Sequence, residues 1–236
     1  MSLPVAILAG GLATRLRPMT EQIPKSLVDV GGRPFVEHQL ELLLEHGFKD
    51  IIVLVGHLGE MLSDALGDGR RYGLRLTFVF DGPQPLGTGG AVRRALPALG
   101  PTFFVMYGDS YLECDYGAIE RAFLAGEKSG LMTVYCNENR FDRSNVVYAN
   151  GRILHYNKRL RAQDMRYIDY GLGAFRRTAF EPWPEHEPFD LAEVYQQLLT
   201  ADDLAGFEVA ERFYEIGSPA GLEETRAHLA ARRMSR

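Results

Sequence analysis

Residues 5–25 read VAILAGGLATRLRPMTEQIPK. Residues 5–9 are a short apolar run that stops at Gly10-Gly11, the pattern of a buried strand entering a tight turn. Arg15 and Arg17 follow at once, and Lys25 stands behind Pro24. In an open α/β sheet, ligands bind beyond the carboxyl ends of the strands. The segment therefore places a glycine pair and several cations where a ligand is expected. Adjacent glycines also let backbone N–H groups approach a phosphate or a base closely.

The alternation begun there continues. Gly31-Gly32 predicts a second turn, and Pro34 opens a helix with Phe35, Val36, Leu40, Leu43 and Leu44 on one face and Gly47 at its end. Residues 51–55, 75–80 and 102–107 read as further strands. Helices are expected over 58–66 and 91–96, the second after a glycine-rich loop at 87–90. This order implies a largely parallel sheet with helices on both faces. After Asp115, a predicted N-cap, strands at 130–136, 145–148, 152–156 and 168–175 follow in close succession and suggest an antiparallel insertion. A helix at 191–199, a strand at 213–216 and a helix at 219–230, capped by Ser218-Pro219, complete the pattern. The basic tail from Arg232 onward is expected to fray. No linker or repeat interrupts the chain. The expectation is one domain, 1–236, of α/β class: a three-layer α/β/α, Rossmann-like and mostly parallel sheet with a small antiparallel insertion.

The composition, 46% hydrophobic and 24% charged, is that of an ordinary globular protein. A net charge of -5 argues against a broad nucleic-acid surface, yet leaves room for phosphate ligands held by a few local cations. Cys114 and Cys136 fall in no metal or redox spacing and read as free thiols. The first residues carry no basic stretch ahead of an apolar run, and no segment approaches a membrane span. A cytoplasmic setting is expected, with no membrane or nucleic-acid partner and with homo-oligomerisation left open.

Two nucleotide loops are rejected: the chain holds no GxxxxGK[ST], and Gly10-Gly11 does not open a GxGxxG. No paired histidines and no Gly-x-Ser-x-Gly support zinc or serine-hydrolase chemistry. What the opening segment does resemble is the G-G-x-G-T-R-L-x-P-x-T…P-K motif of the sugar-phosphate nucleotidyltransferase family, whose fold is GT-A-like. Ala13 stands where that motif has glycine. The likeness continues through VGGRPFVEHQLELLLEHG, PLGTGGA, YGDS and EIGSP, so it spans nearly the whole chain.

The resemblance implies that a sugar 1-phosphate attacks the α-phosphorus of an NTP and releases pyrophosphate. Together these substrates bring about six negative charges into one cleft, and each unit pair about 4 Å apart costs about 4 kcal/mol at an effective dielectric near 20. By resemblance, Arg15 clamps the triphosphate, Lys25 sits near the α-phosphate, and Leu8, Ala9, Gly10 and Gly11 line the nucleotide. Arg17 has a surface role as its equal alternative. Gly87 and Thr88 would lie beside the base. Asp109 and Glu215 would hold Mg²⁺, Glu215 replacing the usual aspartate with one more methylene of reach. Lys158 would hold the acceptor phosphate, with Asn157 and Arg159 standing where glutamate and proline are usual. Gly171 would admit the acceptor to the backbone, while Asp169 either binds a hydroxyl or braces the strand.

Within the family, GTP with a heptose or mannose 1-phosphate is the first expectation. UTP with an amino-sugar 1-phosphate, CTP with phosphocholine, and a catalytically silent regulatory subunit are the alternatives. Too few residues follow Glu215 for an appended β-helix acyltransferase, so a single activity is expected.

Overall fold

A computed structural model describes residues 2–11, 14–16, 18–160 and 162–234. In chain order the strands and helices are β1 (Val5–Leu8), α1 (Phe35–Glu45), β2 (Asp50–Val55), α2 (Gly59–Leu66), β3 (Arg75–Phe80), α3 (Gly87–Leu99), β4 (Thr102–Tyr107) and β5 (Ser110–Tyr111). Then come α4 (Tyr116–Ala125), β6 (Gly130–Cys136), β7 (Val146–Ala149), β8 (Arg152–Tyr156), β9 (Tyr167–Arg176), α5 (Leu191–Thr200), β10 (Leu204–Val209), β11 (Tyr214–Glu215) and α6 (Pro219–Met234).

The main sheet runs β10-β6-β9-β4-β1-β2-β3. β1 pairs in parallel with β2 and β4, β2 with β3, and β6 with β10. Only β9 along this path runs the other way, antiparallel to both β4 and β6. β6 and β9 are thus members of the main sheet, and the expected antiparallel insertion shrinks to the β7–β8 hairpin at its side.

Successive side chains of a strand point to opposite faces, and both faces here are apolar. Val5, Ile7, Ile51, Val53 and Val55 pack with Val36 and Leu40 of α1, Leu62 of α2 and Ile119 of α4. Ala6, Ile52, Leu54, Phe103 and Val105 pack with Val92 and Leu96 of α3 and with Val194 and Tyr195 of α5. This is the three-layer α/β/α arrangement. A third, smaller cluster joins Val28, Val30 and Phe35 to Tyr111, Ile216, Leu222 and Leu229, and so fastens α6 over the start of α1.

Two local expectations change. The glycine-rich stretch at 87–90 is the first turn of α3 rather than a loop ahead of it. A Cβ at Gly87 would lie 2.5 Å from the Phe189 carbonyl oxygen, and one at Gly90 would lie 3.0 Å from that of Glu187. Close approach of this neighbouring backbone demands glycine and outweighs its poor helix propensity. The basic tail is also ordered through Met234: Arg232 pairs with Glu45 and Glu113, and Arg233 donates to the Gly31 carbonyl at 2.7 Å. Cys114 and Cys136 are free. No described helix is long and apolar enough to cross a membrane.

β9 depends on a missing side chain. A Cβ at Gly173 would collide with the Tyr195 hydroxyl of α5 and come within 2.9 Å of the Phe175 ring. Overpacking of this kind costs about 1–3 kcal/mol. Gly173→Ala should lower the thermal midpoint by about 3–8 °C, and adding Tyr195→Phe should recover part of the loss, as differential scanning calorimetry can check.

Candidate active site

The carboxyl ends of β1, β2 and β4 come together because their backbones nearly touch. The Ala9 N–H donates to Leu54 O at 2.8 Å and the Gly108 N–H to Leu8 O at 3.0 Å. A Cβ at Gly108 would lie 2.5 Å from that same oxygen, so only glycine lets β4 turn here and present Asp109. Above these ends lies a cavity of about 420 Å³ lined by Leu8, Ala9, Gly10, Gly11, Arg15, Lys25, Asp81, Gly87, Thr88 and Asp109. Every residue expected from sequence to meet the nucleotide is in this lining. Arg17 and Ala13 lie outside the described residues.

A second cavity, about 460 Å³, is lined by Asn157, Lys158, Asp169, Gly171 and Glu215, the remaining expected positions. Arg15, Tyr107 and Asp109 line both cavities and form their common wall. Lys25 reaches the same wall from the short turn behind Pro24, its Nζ 2.6 Å from Asp109 Oδ2. A Cβ at Gly217 would lie 3.2 Å from both Arg15 Nη2 and Lys25 Nζ, so the bare backbone there makes room for two cations.

Glu215 is held beside them by β11, which pairs with β5 opposite Ser110, while the Ile216 N–H donates to Asp109 O at 2.9 Å. Its carboxylate, however, turns onto the start of α6. It accepts from Ser218 Oγ at 2.7 Å and from the Gly217 N–H, a position where the helix dipole favours negative charge. A Cβ at Gly221 would collide with that carboxylate, so Gly221 admits the longer side chain. Among the described residues no three histidine, cysteine or acidic side chains gather as a ready metal cage. Carboxylate oxygens at Asp109 nevertheless suit Mg²⁺, which is commonly held by one or two carboxylates together with substrate phosphates.

The second cavity is shaped by an irregularity in β9. Met132 pairs with Gly173 and Val134 with Asp169, so residues 170–172 bulge opposite Thr133. Gly171 takes a φ of +98° in this bulge, with Tyr107 and Ser110 against it. Asp169 accepts from the Gly171 N–H at 3.1 Å and from the Tyr107 and Tyr156 hydroxyls, each at 3.4 Å. Burial pushes its carboxyl above the ordinary range, opposed by the Lys158 charge. The bracing alternative for Asp169 thus has the hydrogen bonds. Lys158 donates to Tyr107 Oη at 2.7 Å, and Asn157 Oδ1 accepts from the Arg159 and Leu160 N–H groups, shaping the turn after β8.

At the far end of the first cavity, the Thr88 hydroxyl is engaged with α5: it donates to Asp190 at 3.2 Å and accepts from the Leu191 N–H at 2.8 Å. A further carboxylate in this lining, Asp81, was not among the residues expected from sequence. Asp81, directly after β3, is 7% exposed and accepts from the Leu86 N–H at 3.2 Å. Burial raises its carboxyl above the usual range, against that hydrogen bond and the Arg94 charge. The signal for Asp81 was present, since it stands at the carboxyl end of a parallel strand, as Asp109 does. Tyr107 had a similar signal.

Adjoining cavities at the carboxyl edge of a parallel sheet, with cations at their shared wall, are the setting of an α/β ligand site. The family described as Nucleotidyl transferase matches residues 5–144, and the chain belongs to that family. It is 40% identical over 116 residues to an N-acetylmuramate alpha-1-phosphate uridylyltransferase of Neisseria meningitidis, covering 48% of this chain and 49% of that one. It is 26% identical over 215 residues to a D-glycero-alpha-D-manno-heptose 1-phosphate guanylyltransferase of Campylobacter jejuni, covering 90% and 94%. The chain spans about half the length of the Neisseria protein and of a Synechocystis relative, 49% and 52%. The solved structure of HddC from Yersinia pseudotuberculosis shares the fold, with a TM-score of 0.82, 24% identity and coverage of 97% and 100%.

The raised carboxyl of Asp169 has a consequence for stability. A group whose pKa is higher folded than unfolded favours folding most at low pH, and that benefit is lost as pH rises through the folded value. Asp169→Asn carries no such penalty. Its thermal midpoint relative to the parent should therefore rise as the pH is taken from 3.5 to 7, measured by paired melts across that range.

Proposed function

We propose that the chain transfers a nucleotidyl group from an NTP to a sugar 1-phosphate, forming an NDP-sugar and releasing pyrophosphate. The observation that carries this reading is the common wall of the two cavities. Nucleotide in the first and acceptor in the second would meet where Arg15, Lys25 and Asp109 converge. In the proposed reaction an acceptor phosphate oxygen forms a bond to the α-phosphorus as the bond to the pyrophosphate oxygen breaks. The acceptor oxygen is already ionised, so no general base is needed.

The chain's own work is then positioning and charge compensation. Arg15, a planar fork of donors, clamps phosphate oxygens. Lys25 exchanges part of its hold on Asp109 for the phosphate whose charge grows as the bond breaks. Lys158 takes the acceptor phosphate, and Tyr107 fixes where its ammonium points. Mg²⁺, held by Asp109 and phosphate oxygens, would offset further charge, and Glu215 would join it directly or through water on leaving its helix cap.

At the base, Thr88 is spent on α5, which leaves Asp81 and the backbone at Gly87 to select. Guanine presents N1–H and N2–H donors side by side and makes fullest use of a carboxylate. GTP is therefore the donor we propose, in line with the guanylyltransferase similarity along most of the chain.

The test is a coupled pyrophosphate-release screen of four NTPs against phosphorylated acceptors with Mg²⁺. Release is expected with GTP and a sugar 1-phosphate; silence with every pairing would sink the reading. Lys25→Ala and Asp109→Ala should each lower kcat by about 10²-fold or more. Asp81→Asn should cut the preference for GTP over UTP by about tenfold, measured as the ratio of kcat/KM values, because a lost charged hydrogen bond costs about 1.5–3 kcal/mol.

A further inference from the structure

The loop between β6 and β7 is built with more care than a connection needs. Asn137 and Ser144 are buried at 0% and 4% exposure, and they knit it from within. Asn137 Nδ2 donates to Asp142 O at 2.6 Å, and its Oδ1 accepts from the Phe141 N–H at 3.2 Å. Ser144 N–H donates to Asn139 Oδ1 at 3.0 Å, and Ser144 Oγ accepts from the Asn139 N–H at 3.1 Å. Glu138 and Asn139 are held at φ of +49° and +60°, conformations that side chains rarely adopt. The product of this construction is Arg143, set in the wall of the second cavity. Arg159 enters the same wall from the turn that Asn157 shapes.

Among the described residues neither guanidinium has a partner. Among the described arginines, only Arg15, Arg121, Arg143 and Arg159 make no side-chain hydrogen bond or ion pair, and three of these four line the cavities. Of the other charges around the second cavity, Arg15 stands at the wall shared with the first, and the rest are engaged. Asp109 holds Lys25, Asp169 holds the two tyrosines, Glu215 caps α6, and Lys158 bonds Tyr107. Lys158 is already assigned to the acceptor phosphate at this end. Two guanidinium charges against the one carboxylate of Asp142 leave a single positive charge, which complements a carboxylate better than a dianionic phosphate. Guanidinium forks also match carboxylate geometry.

We propose that the acceptor is an acidic sugar 1-phosphate, and that Arg143 and Arg159 bind a carboxylate on its ring away from the anomeric phosphate. This rests on the sugar 1-phosphate reading above and narrows its substrate class. It sets the neutral heptose and mannose acceptors behind acidic ones.

Matched pairs test it: glucuronic acid 1-phosphate against glucose 1-phosphate, and galacturonic acid 1-phosphate against galactose 1-phosphate. Binding to the full chain is measured by calorimetry, and turnover by pyrophosphate release. The parent protein should bind at least one acidic member about tenfold more tightly than its neutral partner. Arg143→Ala should raise KM for that acid about tenfold, leave kcat at saturation unchanged, and leave the neutral sugar's KM unchanged. Arg143→Lys should recover part of the affinity. Equal affinity for both members of each pair would overturn the proposal, as would an equal loss for both in Arg143→Ala, the mark of a merely structural arginine. Tighter binding of glucose 1,6-bisphosphate than of either acid would overturn the carboxylate assignment. Selective binding of an acid without pyrophosphate release from any NTP would instead fault the reaction and leave the pocket's preference standing.

Discussion

The contact between Lys25 and Asp109 ties the two halves of the site together. Lys25 belongs to the opening segment, which leaves the sheet after β1; Asp109 belongs to the end of β4, the next strand over. Opposite charges 2.6 Å apart and mostly shielded from water attract strongly enough to draw a turn and a strand end into register. That register fixes the wall shared by both cavities. It also sets two opposite charges in that wall, each offset by the other. The contact depends in turn on Gly108 and Gly217, where a single Cβ would displace a strand end or the cations.

A second dependence runs through α6. Its apolar face, Leu222 and Leu229, closes a small core with Val28, Val30 and Phe35, residues that follow Lys25. Ile216 joins the same core and hydrogen-bonds Asp109 through its backbone. The C-terminal helix therefore acts on the site from behind: it fixes the turn that carries Lys25 and receives the Glu215 carboxylate at its N-terminus. The arginines of its last turn serve that docking, which is why they do not fray.

Much of this was legible before the structure. Strands buried on both faces read as unbroken apolar runs, so β1, β2 and β4 stand out in sequence. Helix starts at Asp115 and Ser218 carried their capping residues openly. What stayed hidden were features set by contacts distant in sequence. Nothing local distinguishes the first turn of α3 from a glycine loop, since the deciding neighbour is the backbone about a hundred residues later at 187–189. The β9 bulge, the recruitment of the Thr88 hydroxyl by α5 and the turn of Glu215 onto α6 are of the same kind. Asp81 is different: like Asp109 it follows a parallel strand, but no resemblance pointed to it, and burial of its carboxylate in the cavity wall gives it its interest.

In the proposed reaction, bond formation occurs at the α-phosphorus, at the wall where the two cavities meet. The most direct measurement follows phosphorus labels from the donor NTP through a single incubation with a sugar 1-phosphate. Transfer at the α-phosphorus carries an α-label into the NDP-sugar and sends a γ-label out in pyrophosphate. A γ-label appearing on the sugar, or an α-label released as free nucleoside monophosphate, would contradict it.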